Sequence, residues 1–115
     1  MRVIYLAGLG IALLTVAACG STTSVANSCG SSGASANVNT ASSNSFSPGT
    51  ATITHGQSVC WQNSSSVAHT VTADNAAFNT SLPVGQIFVH IYAVAGSFPY
   101  HCAIHAGMTG TITVN

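Results

Sequence analysis

Residues 86–114 read QIFVHIYAVAGSFPYHCAIHAGMTGTITV. The stretch holds three short runs rich in Val, Ile, Thr and aromatics, punctuated by glycines, which is the signature of strands and tight connections. Residues 86–94 predict a strand with Ile87, Val89 and Ile91 on one face and His90 on the other, by the period-two rule. Gly96 breaks that run. Residues 98–102 and 109–114 predict two more strands, joined by the loop from Cys102 to Met108. Working upstream, residues 50–54 form another run, turned by His55-Gly56-Gln57. Residues 58–62 follow, with Val59 and Trp61 on one face and Cys60 on the other. Residues 63–66 read as a turn, residues 68–72 as a strand and residues 75–84 as irregular. The alternation of Ala36, Val38 and Thr40 allows a weak first strand at residues 36–40. No helix-length apolar period occurs, so the chain reads as all-β, a sandwich or barrel.

At 115 residues the chain holds one small domain. Charged residues are 2% of it, against roughly 25% in an ordinary globular domain. The only formal charges are Arg2 and Asp74. A nucleic-acid binder needs a Lys/Arg footprint, so that class is excluded. Paired-carboxylate catalysis and a phosphate loop with its Lys are excluded for the same shortage. Five His, four Cys and two Met remain to do chemistry, and that list suits a transition metal.

The loop Cys102-Ala103-Ile104-His105-Ala106-Gly107-Met108 carries a thiol, an imidazole and a thioether between two predicted strands. His69 stands at a turn before another strand. A lone buried Cys is usually a small hydrophobe, and a lone Met is usually core filler. The conjunction is far more specific than any member. Two imidazoles and a thiolate in a trigonal plane, with a weak axial Met, make the blue-copper donor set. Thiolate and thioether are soft and hold Cu(I), while imidazole suits both oxidation states.

These residues resemble the cupredoxin family, nearest to amicyanin and the plastocyanin-like electron carriers. The resemblance runs from Phe46 to Val114. It rests on Phe46-Ser47-Pro48, Val59-Cys60-Trp61-Gln62-Asn63, His69-Thr70-Val71, Tyr100-His101-Cys102 and Met108-Thr109-Gly110-Thr111. It implies a Greek-key sandwich of about seven to eight strands. It also implies one copper per chain, held by His69, Cys102, His105 and Met108. The Cys-x2-His-x2-Met spacing resembles the short amicyanin form. Two positions depart from the pattern. Thr70 stands where these families often have Asn, and Ala103, after Cys102, has no hydroxyl. The usual tie between the first His strand and the Cys loop thus lacks its ordinary groups.

Residues 1–18 have one Arg, an apolar run and a small-residue end, the form of a secretory signal. Val16-Ala17-Ala18-Cys19 resembles a bacterial lipoprotein signal, which would make Cys19 the lipidated first residue. Residues 19–35, dominated by Ser, Gly, Thr and Asn, read as a flexible tether, leaving residues 36–115 as the copper domain. Cys29 and Cys60 are then unassigned. A disulfide between them would pin part of the tether onto the sandwich; two free thiols or an intermolecular link are the alternatives. His101 should face away from Cys102. His55 and His90 read as surface residues. Trp61, Phe78, Phe88, Phe98 and Tyr100 read as core.

The functional expectation is a membrane-tethered, monomeric, extracytoplasmic electron carrier, periplasmic or at the cell surface, and not an enzyme. It would exchange one electron with redox proteins. By resemblance the exposed edge of His105 is the electron port, ringed by Ile104, Ala106 and Gly107. The alternative is a copper-handling lipoprotein that stores or passes on the metal itself, and a metal-free surface module is the third reading.

Overall fold

The computed structural model describes residues 28–115. A single 3-10 turn at Cys29–Ser31 precedes nine strands: β1 (Ala36–Ala41), β2 (Ser45–Ser47), β3 (Thr50–Ile53), β4 (Ser58–Asn63), β5 (His69–Ala73), β6 (Asn79–Leu82), β7 (Ile87–Ile91), β8 (Gly96–His101) and β9 (Thr109–Val114). They form two mixed sheets, ordered β2-β1-β4-β7 and β3-β9-β8-β5-β6. β1 runs parallel to β4 and β3 parallel to β9, and the other pairs are antiparallel.

The alternation built into the chain decides which side faces in. In β9 the threonines point outward, and Gly110, Ile112 and Val114 are buried. β3 repeats the scheme, with Ala51 and Ile53 inward. In β4 Val59 and Trp61 have no exposed surface, and Trp61 anchors the core. Its indole lies 5.5 Å from the Phe88 ring and 5.3 Å from the Tyr100 ring. Phe78, Phe88 and Phe98 are half-buried against this core.

The inward face of β7 is the reverse of the one expected. Val89 and Ile91 are 41% and 64% exposed. Phe88 and His90 point inward, and His90 packs 4.6 Å from the Phe78 ring and 4.8 Å from the Tyr92 ring. Register is the cause. Trp61 pairs with Phe88 and Val59 with His90. Directly paired residues share a sheet face, so an inward Trp61 forces Phe88 and His90 inward as well. Val89 pairs with Cys60 on the outer side. Two strands also went unread. β6 lies inside the segment expected to be irregular, because Asn79-Thr80-Ser81 is polar on both faces, and β2 has only three residues.

Cys29 and Cys60 form a disulfide. Both are buried, and the 3-10 turn sits over the outer face of β4. The Cys29 N–H donates to Gln62 Oε1 at 3.1 Å, and the Ser35 N–H donates to the Ser58 carbonyl at 2.9 Å. Residues 28–35 therefore pack against the sandwich. The signal and Cys19 lie outside the described residues.

Candidate metal centre

The strand directions bring four connections to one end of the sandwich: β1 to β2, β4 to β5, β6 to β7, and β8 to β9. His69 opens β5 there, and Cys102 follows the last residue of β8. The loop between β8 and β9 closes on itself, with the Cys102 N–H donating to the Met108 carbonyl at 2.9 Å and the Met108 N–H to the His105 carbonyl at 3.3 Å. Gly107 takes a φ of 79° in this loop, a conformation open to glycine at little cost.

The result is a convergent donor set. One donor atom each from His69, Cys102 and His105 lies within 4.8 Å of the others. Cys102 Sγ is 3.9 Å from His69 Nδ1 and 3.4 Å from His105 Nδ1, and the two Nδ1 atoms are 3.1 Å apart. His69 and Cys102 are buried, at 1% and 4% exposure. Met108, 2% exposed, closes the same loop. Burial pushes the His69 imidazole below its ordinary range, and the neighbouring His105 pushes it the same way. A thiol and two imidazoles held this close could hold a thiophilic transition metal.

Hydrogen bonds stiffen the surroundings. The Thr70 N–H donates to Cys102 Sγ at 3.3 Å, and the Ala103 N–H donates to Thr70 Oγ1 at 2.7 Å. The tie between the His69 strand and the Cys loop is therefore present. A threonine hydroxyl and a main-chain amide make it, without an Asn or a hydroxyl after the Cys. On the far side of His69, Ser65 Oγ lies 2.9 Å from Nε2 and Asn63 supports Ser65. In the sequence Ser65 and Asn63 stand in residues 63–66, which read as a turn, and Asn63 also ends the Val59-Cys60-Trp61-Gln62-Asn63 landmark. Their signal was an Asn-x-Ser-x3-His spacing, which means nothing until the turn's shape is known.

Outward, Ile104 is 57% exposed, Ala103, Ala106 and Gly107 are exposed, and His105 is intermediate. Val67 and Val84, on the two neighbouring connections, are 45% and 51% exposed. They extend the apolar rim beyond what the Cys loop alone suggested. His101 points away from Cys102, with Nδ1 2.6 Å from Asp74 Oδ1. His55 is exposed, with Nδ1 3.0 Å from the Asn115 carbonyl.

The chain resembles a purple cupredoxin from Nitrosopumilus maritimus at 28% identity, over 70% of this chain and 99% of that one, with a TM-score of 0.66. The chain has the cupredoxin fold. Among other solved cupredoxin folds, a reduced variant of amicyanin aligns at 24% identity over 72% of this chain and 83% of that one, with a TM-score of 0.65. A copper-containing nitrite reductase from Thermus scotoductus aligns at 24% identity and a TM-score of 0.63, over 70% of this chain but 22% of the larger enzyme. No protein-family model matches the sequence, and no curated protein matches it.

Proposed function

We propose that this protein is a one-electron carrier with a single copper held by His69, Cys102, His105 and Met108. The observation that carries the reading is the convergence of one thiol and two imidazoles within 4.8 Å, drawn from two separate stretches of a rigid sandwich. When bound, copper supplies a reversible Cu(I)/Cu(II) couple. The protein contributes the geometry. β5 and the closed Cys loop hold the donors in place, so that little needs to move when the charge changes. The Thr70 N–H bonded to Cys102 Sγ fixes the position of the sulfur. Burial keeps water from His69 and Cys102.

His105 is the one imidazole of the set that reaches the surface, and its apolar rim allows close approach by a redox partner. The disulfide supports an oxidising, extracytoplasmic compartment. Lipidation at Cys19 would place the carrier at a membrane, acting as a monomer and making or breaking no substrate bonds.

The test is the visible spectrum of the copper-loaded protein. An intense sulfur-to-copper charge-transfer band, one copper per chain and reversible cycling with the metal retained are expected. Cys102→Ser should abolish the band with the fold intact. Ready loss of copper to competing chelators, without such a band, would point instead to a copper-handling protein.

A further inference from the structure

We infer that the buried Asn63–Ser65 pair selects the ring tautomer of His69, keeping its proton on Nε2 and presenting a bare Nδ1 to the site. The role this gives Ser65, as a positioning residue, rests on the copper reading above. The tautomer itself is a property of the metal-free protein.

The argument begins at Asn63, which is 1% exposed. Its Nδ2 donates to the Val67 carbonyl at 2.8 Å and to the Leu82 carbonyl at 2.9 Å. Its Oδ1 accepts from Thr40 Oγ1 at 2.8 Å and from the Ser65 N–H at 3.0 Å. Reversing the amide would set an oxygen against two carbonyls and a nitrogen against an N–H, so the orientation is fixed. Asn63 Oδ1 can therefore only accept from Ser65 Oγ, 2.7 Å away.

A serine hydroxyl has one proton to give. Two acceptors already compete for it, Asn63 Oδ1 at 2.7 Å and the Val67 carbonyl at 2.9 Å. What Ser65 Oγ turns towards His69 is a lone pair. At 2.9 Å from that lone pair, Nε2 must carry the hydrogen. Ser65 and His69 are 8% and 1% exposed, so water is poorly placed to substitute for either partner. The other end of the ring agrees. His105 Nδ1 is 3.1 Å from His69 Nδ1, a contact that needs one proton between two nitrogens. With Nδ1 of His69 bare, His105 supplies it. A metal entering this site would find the buried imidazole already in its ligating form.

The experiment is a long-range proton–nitrogen correlation spectrum of the metal-free protein at about pH 8, where an ordinary imidazole is neutral. His69 is expected as a single tautomer protonated at Nε2. In Ser65→Ala the Nε2 proton loses its acceptor, so His69 should show mixed tautomers, and copper affinity should fall roughly 10- to 100-fold. Ser65→Thr keeps the hydroxyl and should restore both. A native His69 protonated at Nδ1 would overturn the inference. So would a Ser65→Ala protein that keeps the pure Nε2 tautomer and native affinity. If the native protein took up no copper, the copper reading would fail by itself, and the tautomer spectra would still decide the selection by Ser65.

Discussion

The hydroxyl oxygen of Thr70 and the main-chain N–H of Ala103 are joined by a 2.7 Å hydrogen bond across the gap between β5 and the Cys loop. The same residue's N–H reaches Cys102 Sγ, so Thr70 grips the loop at two successive positions. The Thr70 hydroxyl lies 3.0 Å from that of Thr72, which donates to Asn79 Oδ1 at 2.9 Å, extending the chain of contacts onto β6. Thr70→Val keeps the shape and removes the acceptor. A loss of about 0.5–1.5 kcal/mol in denaturant unfolding is expected, since water can partly replace the bond at this exposed amide. A shifted charge-transfer band should accompany it. An unchanged band and unchanged stability would show that the hydroxyl does not hold the loop.

The disulfide joins residues 31 positions apart. In the chain-entropy account, a closed loop of this size stabilises the fold by ~3–4 kcal/mol. The Cys29→Ala, Cys60→Ala double variant should lose about that much in urea unfolding. It should retain the charge-transfer band, because the bridge lies on the outer face of β4, apart from His69 and Cys102. A variant as stable as the parent would show that the packing of residues 28–35 suffices without the bond.

Gly110 pairs with Tyr100 across β8 and β9. A Cβ at Gly110 would collide with the Tyr100 ring, which is 1% exposed and packed against Phe46 and Trp61. Overpacking of this kind costs roughly 1–3 kcal/mol. Gly110→Ala should lower the melting temperature by several degrees and disturb the Trp61 fluorescence. A neutral effect would mean that the ring has room to move.

Stability of the metal-free protein should fall at both ends of the pH scale. Burial pushes the Tyr100 hydroxyl up to about 12 and raises Tyr92 as well. The folded state then keeps protons that the unfolded state releases above about pH 10, so stability declines as pH rises from 10 towards 12. Burial lowers the His69 and His90 imidazoles from 6.5. The unfolded state binds those protons first, so stability declines as pH falls below about 6.5. Urea midpoints measured from pH 4 to 12 check both limbs. A midpoint flat from pH 7 down to 5 would contradict the acid limb.

Asp74 is the only Asp, Glu, Lys or Arg among the described residues, and it is paired with His101. There is almost no charge for salt to screen. Electron self-exchange of the copper-loaded protein should therefore change little, by about twofold or less, between low and physiological ionic strength. A steep dependence would reveal steering that the sequence does not contain.

Much of this was legible in the chain itself. The alternation in residues 109–114 and the pairing of Val59 with Trp61 on one face follow from period two, and the structure keeps both. The face of β7 was not legible. Ile87, Val89 and Ile91 alternate as well as Phe88, His90 and Tyr92 do, and only the pairing of Phe88 with Trp61 chooses between them. β6 was hidden because a polar strand has no apolar rhythm to detect.

The candidate site divides in the same way. Cys102, His105 and Met108 were readable as one unit because three donor types within seven residues carry their own chemistry. His69 could be proposed from sequence as their partner, but its approach to Cys102 Sγ is a product of the fold. Thr70 bridging to Ala103, and Ser65 turning a lone pair to His69, were decided by tertiary structure alone. Residue types and their spacing along the chain state which atoms can bind a metal. Hydrogen-bond direction depends on where distant backbone segments come to rest, and that is settled only when the two sheets close around Trp61.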